Sequence, residues 1–196
     1  MLIVGLTGSI GMGKSTTAQM FREEGVAVHD SDAAVHAIYR GPQSQSIERA
    51  FPGSTSDGVV DRAKLAAMTL GRPAEIARLE SIVHPLVQQL RRAFLAAERE
   101  RGAAISLVDI PLLYETGAEK EVDKVVVVTA SPEIQRERVL ARPGMTEAKF
   151  GAILARQLPD SQKRRRADFV VHTDRGMEAA REEVRAIIAA LRQERN

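Results

Sequence analysis

Near the amino terminus the chain reads Gly8-Ser9-Ile10-Gly11-Met12-Gly13-Lys14-Ser15, and this stretch constrains the fold more than any other. It fits the spacing G-x-x-x-x-G-K-[ST], in which a glycine-rich turn aims successive backbone N–H groups at phosphate oxygens. The flanks agree with that chemistry. Leu2 to Leu6 is a short apolar run of the kind buried on both faces of a parallel sheet. Ser15 to Glu24 sets Ala18, Met20 and Phe21 among polar residues without Pro or Gly, which predicts a helix. The motif therefore lies at a strand-to-helix turn, where the positive end of the helix adds to the field on an anion. Lys14 is expected to reach the outer phosphates and the Ser15 hydroxyl to ligate Mg²⁺.

The rest of the chain alternates strands with helices. Further strands are predicted at Val26–His29, Ile105–Ile110, within Val122–Thr129 and at Phe169–Val171. With the first, they make a five-stranded parallel sheet wrapped by helices on both faces, a three-layer α/β P-loop NTPase fold. Between the second and third strands lies a helical block from Ala33 to Gly102, far longer than an ordinary crossover. Within it, Pro52–Gly58 is predicted as loop, Asp61 as a cap, and Pro85 as the start of a long helix to about Arg101. An insertion of this kind is expected to carry a second substrate. At 196 residues the whole reads as one kinase-sized domain with that insertion. A net charge of +2 argues against a dedicated nucleic-acid binder. No cysteine is present for a disulfide or a thiol nucleophile, and no apolar run approaches a membrane span. With no basic-then-apolar leader, the expectation is a cytoplasmic protein.

Several polar residues stand where chemistry needs them. Asp30 and Asp32 follow the second strand, at the carboxyl edge where a parallel sheet opens its ligand crevice. One can cap the next helix while the other orients and deprotonates an acceptor hydroxyl, and Asp32 is favoured for the chemistry. Asp109 ends an apolar strand, the layout of an acidic residue that helps hold Mg²⁺, here through a bound water, or else of a plain turn residue. Arg136, Arg138 and Arg142 precede the Pro143-Gly144 break, and Arg156 lies on the return arm. Residues 136–158 thus suit a lid that brings positive charge to a migrating phosphoryl group, with Arg138 preferred; a solvated arginine face is the plainer alternative. Lys163-Arg164-Arg165-Arg166 reads as a solvated or phosphate-facing segment rather than a nucleic-acid patch.

Taken in order, these motifs resemble the dephospho-CoA kinase family. The resemblance runs over Gly5 to Thr16, Asp30-Ser31-Asp32, His84-Pro85, Pro111-Leu112-Leu113-Tyr114-Glu115, Ser131-Pro132-Glu133 through Arg138 and Arg142, Gln157 and Ala167-Asp168. It implies ATP, Mg²⁺ and dephospho-CoA, with phosphate delivered to the ribose 3′-hydroxyl and neither nucleic acid nor membrane as partner. On that similarity Lys14, Asp32 and Arg138 are the catalytic residues. Gly8, Gly11, Met12, Gly13, Ser15, Thr16 and Arg142 join Lys14 in holding the nucleotide. Asp32, His84, Pro111, Leu112, Leu113 and Glu115 face the acceptor. Ser9 and Met12 replace a Gly and a Ser found in many members; neither side chain is expected to matter, because the loop works through its backbone. Other readings are a P-loop kinase with a nucleotide or sugar acceptor, and a nucleotide-binding switch, which the missing N-K-x-D signature disfavours.

Overall fold

The computed structural model describes residues 1–194. The chain begins with strand β1 (Leu2–Thr7), helix α1 (Lys14–Glu23) and strand β2 (Ala27–Asp30). Helices α2 (Ser31–Arg40) and α3 (Ser44–Ala50) follow, then a hairpin of β3 (Thr55–Ser56) and β4 (Val59–Val60). Helices α4 (Arg62–Thr69) and α5 (Pro73–Glu100) lead to β5 (Ile105–Asp109). A 3₁₀ turn (Ala118–Glu121) and β6 (Lys124–Thr129) come next. Helices α6 (Pro132–Leu140), α7 (Glu147–Leu154) and α8 (Asp160–Arg166) precede β7 (Phe169–His172) and the closing α9 (Met177–Gln193). Among the described residues no helix is long and apolar enough to cross a membrane.

The chain divides into two compact units, Met1–His29 with the chain from Glu98 onward, and Asp30–Ala97. The first unit is built on a five-stranded sheet of order β2-β5-β1-β6-β7, the predicted α/β architecture. On one face Val4, Leu6, Leu107, Val126 and Val128 pack with Ala18 and Phe21 of α1 and with Val184, Ile187, Ile188 and Leu191 of α9. Those four α9 positions lie one turn apart, so a single stripe of the helix is buried, each side chain contributing about 1.5–3 kcal/mol. On the other face Leu113 and Val122 pack over Gly5.

Two aspartates start strands by standing in for backbone. Asp123 accepts the Ile3 N–H at 2.7 Å, and Asp168 of the Ala167-Asp168 pair accepts the Val125 N–H at 2.7 Å. Each fixes the register of the strand beside it. In β1 and β5 that register sets Leu6 opposite Asp109, so the glycine turn and the Asp109 carboxylate leave the sheet at the same carboxyl edge.

The second unit has its own core, in which Ile38, Ile47, Phe51, Val60, Leu65 and Val83 are buried. Two sequence expectations are corrected within it. The stretch predicted as loop holds β3 and the turn of the β3–β4 hairpin, with Asp57 and Gly58 at φ 52° and 78°. Asp-Gly is the pairing that such a two-residue turn favours. Pro85 does not open a helix: α5 runs through it from Pro73 to Glu100. A mid-helix proline costs about 3 kcal/mol through the lost N–H and ring clash. Leu79, Ile82, Leu86, Val87 and Leu90 pack against the core on both sides of it, and that burial offsets the cost. In the first unit, the return arm of the 136–158 segment is helical only from Glu147 to Leu154, and the basic run lies on its own short helix, α8.

Candidate active site

The glycine turn is shaped by what surrounds it. A Cβ on Gly8 would stand 2.8 Å from the Val128 carbonyl oxygen, so only glycine lets the chain leave β1 along β6. Gly13, at φ 90°, ends the turn in the left-handed region and immediately precedes α1. Lys14 and the exposed Ser15 and Thr16 then form the first turn of α1, with their backbone N–H groups at its positive end.

Side chains from distant parts of the unit hold this turn in place. Ile10 is gripped twice: its N–H donates to Gln157 Oε1 at 3.1 Å, and its carbonyl accepts from Gln135 Nε2 at 2.7 Å. Met12 corrects the expectation that its side chain is idle. It is 2 % exposed, and its Sδ accepts the Ala130 N–H at 3.1 Å, which pins the turn to the end of β6. Thr173, which sequence reasoning passed over, donates from Oγ1 to the Met12 carbonyl at 2.8 Å. Its own hydroxyl and carbonyl receive the Arg138 guanidinium at 2.8 and 2.7 Å. Nothing in the sequence distinguishes Thr173 from other residues of a strand-ending loop; its importance comes from topology, because β7 lies next to β6.

Lys14 forms an ion pair with Asp109, which is only 2 % exposed. This gives Asp109 a different immediate partner from the one its strand-ending position implied. Beside the loop, the oxygens a hard cation would draw on are the exposed Ser15 hydroxyl and, through water, the Asp109 carboxylate that Lys14 already pairs. That donor set suits Mg²⁺, which draws its other ligands from phosphate and water.

Arg138 and Arg142 border a cavity of roughly 300 Å³ together with Gly11, Gly13, Thr16 and Met177. Cationic side chains, loop backbone and a methionine around one cavity suit a ligand with both an anionic and an apolar part. Arg136 takes no part in it; it is exposed and pairs with Glu147. For that arginine the solvated-face alternative holds. Arg156 is also exposed.

The Pro111–Glu115 block divides into wall and anchor. The Pro111 carbonyl accepts from Thr7 Oγ1 at 3.2 Å, Leu113 is fully buried, and Leu112 is 39 % exposed. Burial pushes the Tyr114 phenol up to about 12, so it stays neutral at ordinary pH. Glu115 Oε1 accepts the Leu158 N–H at 2.7 Å and meets Lys163 Nζ at 2.8 Å. Burial alone would raise the Glu115 pKa, but the combined pull of Lys163 and the Leu158 N–H holds it below the usual carboxylate range. Lys163 is fully buried, so the basic run is not a solvated segment throughout.

In the second unit, Asp30 and Asp32 stand in different surroundings. Asp30 caps α2, accepting the Ala33 N–H at 2.9 Å. Asp32 lies in the first turn of α2 and is exposed. His84 is exposed in the middle of α5, not at a helix start.

Comparison with known proteins bears on the chemistry. A family model described as dephospho-CoA kinase matches residues 2–179. The dephospho-CoA kinase of Mesorhizobium japonicum is 62% identical over 195 residues, covering 100% of this chain and 99% of that protein. A Thermus thermophilus crystal structure aligns over 97% of both chains with a TM-score of 0.81 and 35% identity. Dephospho-CoA kinase from Campylobacter jejuni shares the fold, with a TM-score of 0.67 and 20% identity over 96% of each chain.

Proposed function

The chain belongs to the dephospho-CoA kinase family, and on that premise we propose that Lys14, Asp32 and Arg138 carry its phosphoryl transfer. It is an ATP-dependent kinase acting on a hydroxyl group of dephospho-CoA. The ribose 3′-hydroxyl is the acceptor in this reading. The observation that carries Lys14 and Arg138 is that the glycine turn is held by the sheet-bearing unit beside both the Lys14–Asp109 pair and the Arg138–Thr173 contact; Asp32 rests on the family resemblance.

The nucleotide lies with its phosphates in the turn Gly8–Ser15 and its nucleoside in the cavity bordered by Arg142 and Met177. Backbone N–H groups of the turn and of the first turn of α1 neutralise phosphate charge that would otherwise repel an incoming hydroxyl oxygen. Lys14 adds a point charge at the outer phosphates, its ammonium group paired with Asp109. Ser15, and Asp109 through water, would hold Mg²⁺, which would supply positive charge against the phosphates.

Asp32 accepts the proton of the acceptor hydroxyl as its oxygen bonds to the γ-phosphorus and the bond to the ADP oxygen breaks. Asp30 is spent on the helix cap, which leaves Asp32 as the free carboxylate of the pair. The unit Asp30–Ala97 is read as the acceptor-binding insertion, with His84 on it; on the sheet-bearing unit Leu112 is exposed enough to meet a ligand, whereas Leu113 is buried over Gly5 and is not an acceptor contact. Residues 136–158 form the lid, and Arg138 at its base counters charge on the phosphoryl group in flight. The reaction draws on cytoplasmic ATP and on soluble substrates. The test is direct: purified protein with ATP, Mg²⁺ and dephospho-CoA yields CoA by mass spectrometry, and phosphate on any other hydroxyl overturns the 3′ assignment.

A further inference from the structure

Both arms of the 136–158 segment reach the phosphate turn at a single residue. Gln135 stands on α6, where the segment departs, and Gln157 stands where it returns. One side chain takes the carbonyl of Ile10 and the other takes its N–H, at 2.7 and 3.1 Å. The orientations of the two amides are fixed by chemistry: a backbone N–H requires the Gln157 oxygen, and a backbone carbonyl requires the Gln135 nitrogen. Gln135 is 6 % exposed, so its amide faces the turn and not solvent. The return arm is fastened from its other side as well, since Glu115 accepts the N–H of Leu158 at 2.7 Å and is itself paired with the fully buried Lys163.

We propose that Gln135 and Gln157 are positioning residues that tie the two stems of the lid to the phosphate turn through Ile10, so that the turn and the lid arginines take up their working geometry together. Gln135 is three residues before Arg138 on α6, one helical turn away, so the side chain that sets the turn and the guanidinium that faces the phosphoryl group share one rigid element. Loss of either amide leaves an Ile10 backbone group without its partner and loosens the turn by a fraction of an ångström. For in-line transfer a displacement on that scale lowers turnover without weakening the acceptor. This inference rests on the reading of Gly8–Ser15 as the phosphate turn and 136–158 as the lid.

Gln157 supplies a sharp test because the hydrogen bond and simple electrostatics favour opposite charges there. A glutamate keeps the acceptor for the Ile10 N–H but brings negative charge towards a triphosphate; a lysine helps the triphosphate but removes the acceptor. Turnover and KM for both substrates are measured for Gln157→Glu, Gln157→Lys, Gln157→Leu and Gln135→Leu, with melting temperatures. The expected result is kcat within about threefold of the parent for Gln157→Glu, and about tenfold lower for Gln157→Lys, Gln157→Leu and Gln135→Leu, with KM for dephospho-CoA changed less than about twofold. If Gln157→Lys does not fold, the uncharged Gln157→Leu stands in its place. A lysine variant equal to or better than the glutamate variant overturns the inference, as does an unchanged kcat in the leucine variants. Lys14→Ala, assayed alongside, separates the two levels: if it is inactive, only the tie to the lid has failed; if it is active, the phosphate-turn assignment has failed.

Discussion

The two units hold their polar residues in different ways. In the sheet-bearing unit the site is held by long-range contacts: Lys14 meets Asp109 95 residues away, Ile10 meets Gln157 147 away, and Met12 meets Thr173 161 away. In the helical unit Asp30 caps a helix three residues on, Asp61 does the same for Lys64, and Glu48 gathers N–H groups from Gly53 and Thr55 within seven residues. The phosphate turn is therefore a product of the whole sheet topology, and a change there is felt in stability as well as in turnover. Asp32 and His84 sit exposed on their helices, outside the buried core of that unit, so their replacement should affect chemistry and leave the fold alone.

The largest effect is expected from Lys14→Ala, which breaks the comparison at its strongest point. Turnover should fall by at least about three orders of magnitude, the scale on which a charge aimed at a transferring phosphoryl group matters. The same change removes the cation facing a buried carboxylate, and should lower stability by about 2 kcal/mol. That is less than a fully buried pair would lose, because Lys14 keeps some access to water. Steady-state assay and urea unfolding read the two effects separately. A variant that loses activity with no loss of stability would mean that the Lys14–Asp109 pair contributes nothing to the fold.

Asp32→Asn is the counterpart in the helical unit. Turnover should drop by about two to four orders of magnitude, with ATP affinity and melting temperature unchanged. Its neighbour gives the contrast: Asp30→Ala removes the α2 cap and should cost about 1 kcal/mol of stability. If the asparagine variant turns over normally, the base lies elsewhere. Arg138→Ala ranks next, with kcat down by about a hundredfold and a smaller change in KM, since its charge counts most in the transition state. Loss of its two contacts to Thr173 should also raise KM for ATP, and a pure KM effect would make Arg138 a binding residue.

What could be read before folding follows the same division. Gly8–Ser15, the five strands and the buried side of α1 were legible because each depends on local spacing: a motif, a run of β-branched residues, a helical period. The Asp30 cap was legible for the same reason. Thr173, Gln135 and the burial of Lys163 were not, because each owes its place to strands that are neighbours in the sheet and remote in the chain. Met12 was misjudged because a loop that works through its backbone still needs something to pin it down, and the Ala130 N–H that pins it is over a hundred residues away. Pro85 was misjudged in the opposite sense: a strong local breaker was overridden by packing on both sides of it.

Glu115 sharpens the comparison through pH. Its carboxyl is held below the ordinary carboxylate range in the folded chain, so it contributes stability at pH values above the unfolded value near 4.5. That contribution is lost as the pH falls through the lower folded value. Glu115→Gln should flatten the stability curve across this acid range, and at neutral pH it should cost about 3 kcal/mol by leaving Lys163 buried without its counter-ion. Turnover should change only by the few-fold that a loosened lid stem allows. Urea unfolding from pH 7 to pH 3 checks both. An acid limb as steep in the variant as in the parent would show that the Glu115–Lys163 pair is not what titrates.

The smallest effect tests whether position alone makes a lid arginine functional. Arg136 and Arg138 lie two residues apart on α6, which turns them to different sides of the helix. Arg138 faces Thr173 and the cavity, whereas Arg136 faces Glu147 of α7 in an exposed pair. Exposed pairs contribute little, since water and salt screen them and ordering two long side chains offsets the attraction. Arg136→Ala should therefore leave kcat and both KM values within about twofold and shift the melting temperature by no more than about 2 °C. Its pair nevertheless bridges the two helices of the lid. If raising the salt slows the parent but not the variant, then that bridge sets how the lid moves, and the contrast drawn between a wired site and a loosely held periphery has to be redrawn along the lid itself.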